Sequence, residues 1–157
     1  MTQLSDILKP GDHLLYGARE WYDFIVAFKT WSPAVHIEIY NGLGMSLASR
    51  HGIGVNMYPL READLITILR PKKIGTLPNA ARWFAEFARG QGYDWKGLLC
   101  FMLAVKQGSP DKMFCSEFAC QFDRAAVIDS FAPDFPADKV APGSFLMSPA
   151  FEKVPLP

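Results

Sequence analysis

The chain has 157 residues, half of them apolar, with twelve Phe and four Trp; this supports one packed domain over 1–157 and does not resemble a disordered chain. Sixteen basic residues balance sixteen acidic ones, and no run of one sign marks a nucleic-acid surface, so no nucleic-acid partner is expected. Met1 to Pro10 lacks the basic start and apolar run of a signal peptide, and the longest apolar stretch, Leu98 to Val105 with its neighbours, is too short to span a bilayer. No integral membrane segment and a cytoplasmic location are therefore expected. Three cysteines, Cys100, Cys115 and Cys120, form no CxxC pair, so neither a disulfide framework nor a metal site nor any other cofactor is expected.

In chain order, Ser5 to Leu8 reads as a short turn leading into Pro10-Gly11-Asp12, and His13-Leu14-Leu15-Tyr16 as a strand entering the core. Glu20 to Thr30 carries Trp21, Phe24, Ile25 and Phe28 at helical spacing and reads as an ordinary packed helix ended by Pro33. Ala34 to Tyr40 is alternating and β-branched, which predicts a strand with Val35, Ile37 and Ile39 on one face and His36, Glu38 and Tyr40 on the other. Asn41 to Gly44 is a hairpin turn. Met45 to Arg50, Val55 to Tyr58 and Leu65 to Leu69 follow as strands of an antiparallel, meandering sheet. Leu77 to Arg89 predicts a helix with Ala81, Phe84, Ala85 and Ala88 inward, stopped by Gly90-Gln91-Gly92. Asp94 would cap a second helix, Trp95 to Val105, and Gly108 to Asp111 a loop before a third, Met113 to Ile128. Beyond Asp129, Pro133, Pro136, Pro142 and Pro149 rule out long helices and predict an extended tail wrapping the domain.

The candidate chemistry rests on Cys115, His36 and Glu38. Cys115 stands at a predicted helix start, where free backbone N–H groups and the positive end of the dipole favour a thiolate and can bind an oxyanion. The ordinary alternative is a buried Cys acting as a small hydrophobe. His36 lies on a strand and can serve as general base toward a thiol; the alternative is a structural, half-buried His. Glu38, two residues on, falls on the same strand face roughly 6–7 Å away, where a carboxylate orients an imidazole; its alternative is a solvated charge or an ion pair. His51, in a Gly-rich turn, is the other candidate for the orienting role. A productive arrangement would put the His36 ring toward the thiol on the helix-packed side of the sheet. His13, next to Asp12, is read as structural, and Cys100 and Cys120 as core. The glycines at 42, 44, 52 and 54 follow no phosphate-binding spacing.

The segments PGDHLLY, VHIEIYNGLGMSLASRHGIGV, GYDWKGLLCF and FCSEFA, in that order, resemble the permuted NlpC-type papain-like amidases, of which lecithin retinol acyltransferase is a distant relative. The resemblance covers Leu8 to Val127, and its most specific parts are HIEIY and FCSE. In permuted members the His strand precedes the Cys helix, as here. The resemblance implies an α+β papain-like domain with an antiparallel sheet packed against helices, Cys115 as nucleophile, His36 as base and Glu38 as third member. It further implies a cysteine amidase or peptidase acting through an acyl-enzyme on a small peptide, cell-wall fragment or acyl substrate. A lipid acyltransferase or thioesterase, with Trp21 to Trp31 lining an acyl pocket, is one alternative. A non-catalytic binding or virion-associated module is the other.

Overall fold

A computed structural model describes residues 3–94, 96 and 112–157; the predicted helix from Trp95, the loop at Gly108 to Asp111 and Cys100 lie outside these. The fold is α+β. After a single helical turn, α1 (Leu4–Ile7), come β1 (His13–Tyr16), α2 (Trp21–Thr30), β2 (His36–Tyr40), β3 (Met45–Arg50), β4 (Gly54–Pro59) and β5 (Leu65–Pro71). Next are α3 (Leu77–Trp83), β6 (Gly92–Tyr93), β7 (Lys112–Met113), α4 (Cys115–Ala126) and β8 (Phe151–Val154). Among the described residues no helix is long and apolar enough to cross a membrane.

The main sheet has six strands in the order β4-β3-β2-β1-β5-β8, every neighbouring pair antiparallel. Only β2 to β4 form the predicted meander. β1 lies between β2 and β5 because all four of its side chains are buried, and a strand with no solvated residue needs a neighbour on each edge. The proline-rich tail forms only two short 3₁₀ turns, Ala137–Lys139 and Pro142–Met147, before β8 pairs with β5. Its end therefore adds an edge strand to the sheet.

Strand alternation divides the interior in two. Leu15, Ile37, Ile39, Leu47 and Leu69 pack with Phe118, Ala119 and Phe122 of α4. Leu14, Tyr16, Tyr40 and Ile68 pack with Leu4 and Leu8 on the other face. α4 begins at Cys115, where Phe114 is the capping residue, and ends where Val127 turns left-handed. Ala119 and Ala126 are its fully buried alanines, with Ala125 only partly enclosed. α3 continues into a π turn over Phe84–Ala88, and the buried stripe is Ala80, Phe84 and Ala88. The expectation for Ala81 and Ala85 is corrected: both are exposed, each one step around the helix beyond a buried residue, Ala80 and Phe84.

α2 differs most from expectation. It forms where predicted, with Glu20 and Asp23 making a reciprocal cap. Trp21, Phe24 and Phe28, however, face outward, at 73 %, 62 % and 76 % exposed. Trp31, in the left-handed conformation just past the helix, is also exposed. Val26 is the residue that packs inward, against Val35, and that contact fixes the rotation of the helix. The ordinary packed helix is therefore not what forms.

Candidate active site

β2 and the start of α4 bring the candidate residues together. Phe118 N–H bonds the Phe114 carbonyl at 3.0 Å, the first turn of α4, so the N–H groups before it precede the helical ladder. The Glu117 side chain takes the Phe114 N–H. The loop into α4 is held by the Met113 carbonyl, which accepts from Ser49 Oγ on β3 at 2.5 Å, and by Ser116 Oγ, which donates to the Val140 carbonyl at 2.6 Å. Cys115 is buried, its Sγ 4.0 Å from the Val35 carbonyl.

His36 Nε2 lies 3.0 Å from Glu38 Oε1. Glu38 is fully buried and also accepts from Arg50 Nε at 2.8 Å, from the second Arg50 nitrogen at 3.0 Å, and from Ser46 Oγ. Burial alone would raise its pKa, but the His36 and Arg50 contacts hold it well below the usual carboxylate range. An ionised carboxylate only accepts hydrogen bonds. Nε2 must therefore carry a proton, and Nδ1 is left for exchange with another group. Burial would lower the His36 pKa; the charge and hydrogen bond of Cys115, with those of Glu38, raise it to about 9. Cys115 and Glu38 thus both act on the one ring.

Two features depart from expectation. His36 shares the strand face of Glu38, opposite Ile37 and Ile39, so the ring does not lie on the helix-packed side. It meets Cys115 at the start of β2, beside the Val35 carbonyl, where the N-terminus of α4 abuts the strand. The second is the depth of the carboxylate's support. Ser46 and Arg50 were not singled out as partners of Glu38, although both fall on its face once the β2–β3 register, Tyr40 opposite Ser46, is known. Between the two candidate orienters, Glu38 is the one bonded to the ring at Nε2. His51 lines the same pocket and packs edge-on against Tyr93, ring centroids 5.8 Å apart.

The pocket is a cavity of about 230 Å³ whose walls include Cys115, His36, Arg50, His51, Arg61 and Tyr93. α2 contributes Asp23 and Val26, and its cap Glu20 joins them. Tyr16, beneath it, donates to the Arg61 carbonyl at 3.0 Å; burial first, then the Glu38 charge, push its pKa up, so it stays a phenol. Cys120 is buried in α4, and burial pushes its thiol up to about 11. His13 is structural: Nδ1 bonds the Gly11 carbonyl at 2.9 Å, and Nε2 forms an ion pair with Asp123 at 2.9 Å, angled poorly for a linear hydrogen bond. Its neighbour Asp12 is instead gripped by the Arg70 fork at 2.9 and 2.7 Å.

No family model matches the chain, and none of the curated proteins does. Among solved structures it is similar to one described as the metalloprotein YiiX of Escherichia coli O157:H7, DUF1105. The TM-score is 0.66 at 16 % identity, over 94 % of this chain and 96 % of that one, a likeness of fold. Among the described residues no group of three or more His, Cys, Asp or Glu could hold a metal ion.

Proposed function

We propose that this chain is a cysteine hydrolase of the permuted papain-like, NlpC-type kind, with Cys115 as nucleophile, His36 as base and Glu38 as orienter. The observation that carries the reading is the His36 ring bonded through Nε2 to a buried, ionised Glu38 while its pKa answers to Cys115 at a helix start. The Cys115 thiol gives its proton to His36 Nδ1, and sulfur attacks a substrate carbonyl carbon. The Cys115 N–H, at the first residue of α4, serves in this reading as a donor to the oxyanion that forms. Collapse expels the amine or alcohol, which takes the proton back from His36 and leaves a thioester. Water, deprotonated by His36, then releases the acid and the thiol. An amide in a peptide or cell-wall fragment is the first substrate class to test.

A second reading, transfer or hydrolysis of a lipid acyl ester or thioester, is favoured by the outward apolar face of α2. That helix walls the pocket with Val26 and presents Trp21, Phe24 and Phe28 to solvent. Screening short peptides, cell-wall peptides and acyl esters separates the two. With any substrate found, Cys115→Ser should abolish turnover, and the double variant with His36→Ala should be little worse than either single, because the pair acts as a unit. Full turnover by folded Cys115→Ser protein refutes the mechanism. No substrate, together with a thiol pKa near the free value of about 8.5, would favour a non-catalytic binding or virion-associated module.

A further inference from the structure

Most charges around the pocket already have partners. Arg50 is forked onto Glu38. Asp23 accepts the N–H groups of Arg19 and Glu20, both at 2.9 Å, and Glu20 closes the same cap. Arg61 differs. Its guanidinium lies over the Tyr16 ring, 4.2 Å from the centroid, and Tyr16 lies 6.0 Å, centroid to centroid, from the His36 ring. Its Nε is enclosed, and among the described residues it meets no acceptor. The Tyr16 hydroxyl and the bond from Gly17 N–H to the Asp64 carbonyl, at 2.8 Å, fix the loop that carries it. A fixed guanidinium whose Nε has no acceptor among the described residues, in the cavity that holds the thiol, has the form of an anion seat: its planar fork matches a carboxylate or a phosphate.

We infer that Arg61 is a specificity-determining residue that binds an anionic oxygen group of the substrate, a carboxylate or a phosphate, beside the bond that Cys115 attacks. The inference deepens the proposed function and rests on it for the word substrate; the anion seat itself is testable without turnover. The Tyr16 ring sets the guanidinium plane, so the ligand's anionic end lies on the Tyr16 side of the cavity and its reacting carbonyl on the Cys115 side. A substrate neutral at that end would leave Arg61 Nε enclosed without an acceptor, which disfavours it.

The test uses two alkylating probes of nearly equal size, anionic iodoacetate and neutral iodoacetamide, with rates at Cys115 followed by peptide mass spectrometry. The ratio of the two rates cancels changes in thiol reactivity common to both. Arg61→Gln should lower the iodoacetate-to-iodoacetamide ratio roughly threefold to tenfold, the scale of one charge-assisted hydrogen bond, and Arg61→Lys should fall between. In the wild-type protein at constant ionic strength, acetate or inorganic phosphate should slow iodoacetamide. Stronger protection by acetate assigns a carboxylate, and stronger protection by phosphate a phosphate group. An unchanged ratio in folded Arg61→Gln protein overturns the inference; should that variant not fold, an unchanged ratio in Arg61→Lys with no protection by either anion does so. A slow wild-type iodoacetamide rate, with the ratio still sensitive to Arg61, would count against the catalytic reading and leave the anion seat standing.

Discussion

Two histidines of this fold sit against carboxylates at almost the same distance, 3.0 Å for His36–Glu38 and 2.9 Å for His13–Asp123. In both, the imidazole pKa is raised although burial opposes it. The difference lies at the second ring nitrogen. His13 Nδ1 meets the Gly11 carbonyl, so both of its nitrogens face acceptors, which favours the protonated ring. His36 keeps Nδ1 for a thiol, which can give and take a proton, and its ring is 18 % exposed where His13 is sealed. A carboxylate beside a histidine is therefore no mark of chemistry by itself. What the other nitrogen faces, and whether a ligand can reach it, separates a base from a rivet.

The largest expected effects should separate along that line. His36→Ala should cut Cys115-dependent turnover by about 10²- to 10⁴-fold, the range of a general base, and should cost less stability than Asp123→Ala, because Glu38 keeps Arg50 and Ser46. Asp123→Ala should do the reverse. It leaves a buried His13 charge unpaired, at about 3–5 kcal/mol in urea unfolding, while the folded fraction keeps turnover of the same order. Large losses of both stability and turnover from either variant would erase the distinction.

Imidazole titration by NMR gives a smaller and sharper readout. His36 should titrate near 9, and its pKa should fall in Cys115→Ala, because the sulfur is among the groups that raise it. The His13 titration should not follow. The sign for stability is the same for both rings. Between the ordinary value of 6.5 and about 9, folded His36 holds a proton that the unfolded chain has released. Its stabilisation is thus complete below pH 6.5 and lost as pH climbs through 9.

The smallest effect concerns Glu117. Burial, with the charges of Asp138 and Asp94, raises its pKa to about 7. Folding therefore weakens as pH rises from 4.5 toward 7, and above that an ionised Glu117 opposes it. Glu117→Gln should raise the melting temperature at pH 8 relative to its effect at pH 5. An equal shift at both pH values would show that the carboxyl's charge is not what matters there.

Much of the site was legible because its order in sequence is local. HIEIY places a carboxylate two residues from an imidazole on one strand face by period alone, and FCSE places a thiol at a helix start. The supports were harder to see. Arg50 and Ser46 reach Glu38 only through the β2–β3 register, and Asp123 reaches His13 only because α4 packs on the sheet face that His13 shares with Leu15. Helix α2 misled for a different reason: an apolar stripe at helical spacing shows that a helix has an apolar side and leaves open whether that side meets the core. A single buried residue, Val26, turned it outward.

The two-rung ladder of β6 and β7 has a consequence for chain length. Gly92 pairs with Lys112 and Tyr93 with Met113, and the strands run parallel. An antiparallel pair can be closed by a two-residue turn, whereas a parallel pair needs a returning connection of about a dozen residues or more. The connection between Tyr93 and Lys112 is therefore bounded from below, and the ladder it closes ends two residues before Cys115. Deletions meet a floor, and a graft shorter than that return path would have to break the ladder and release the start of α4 from its neighbour.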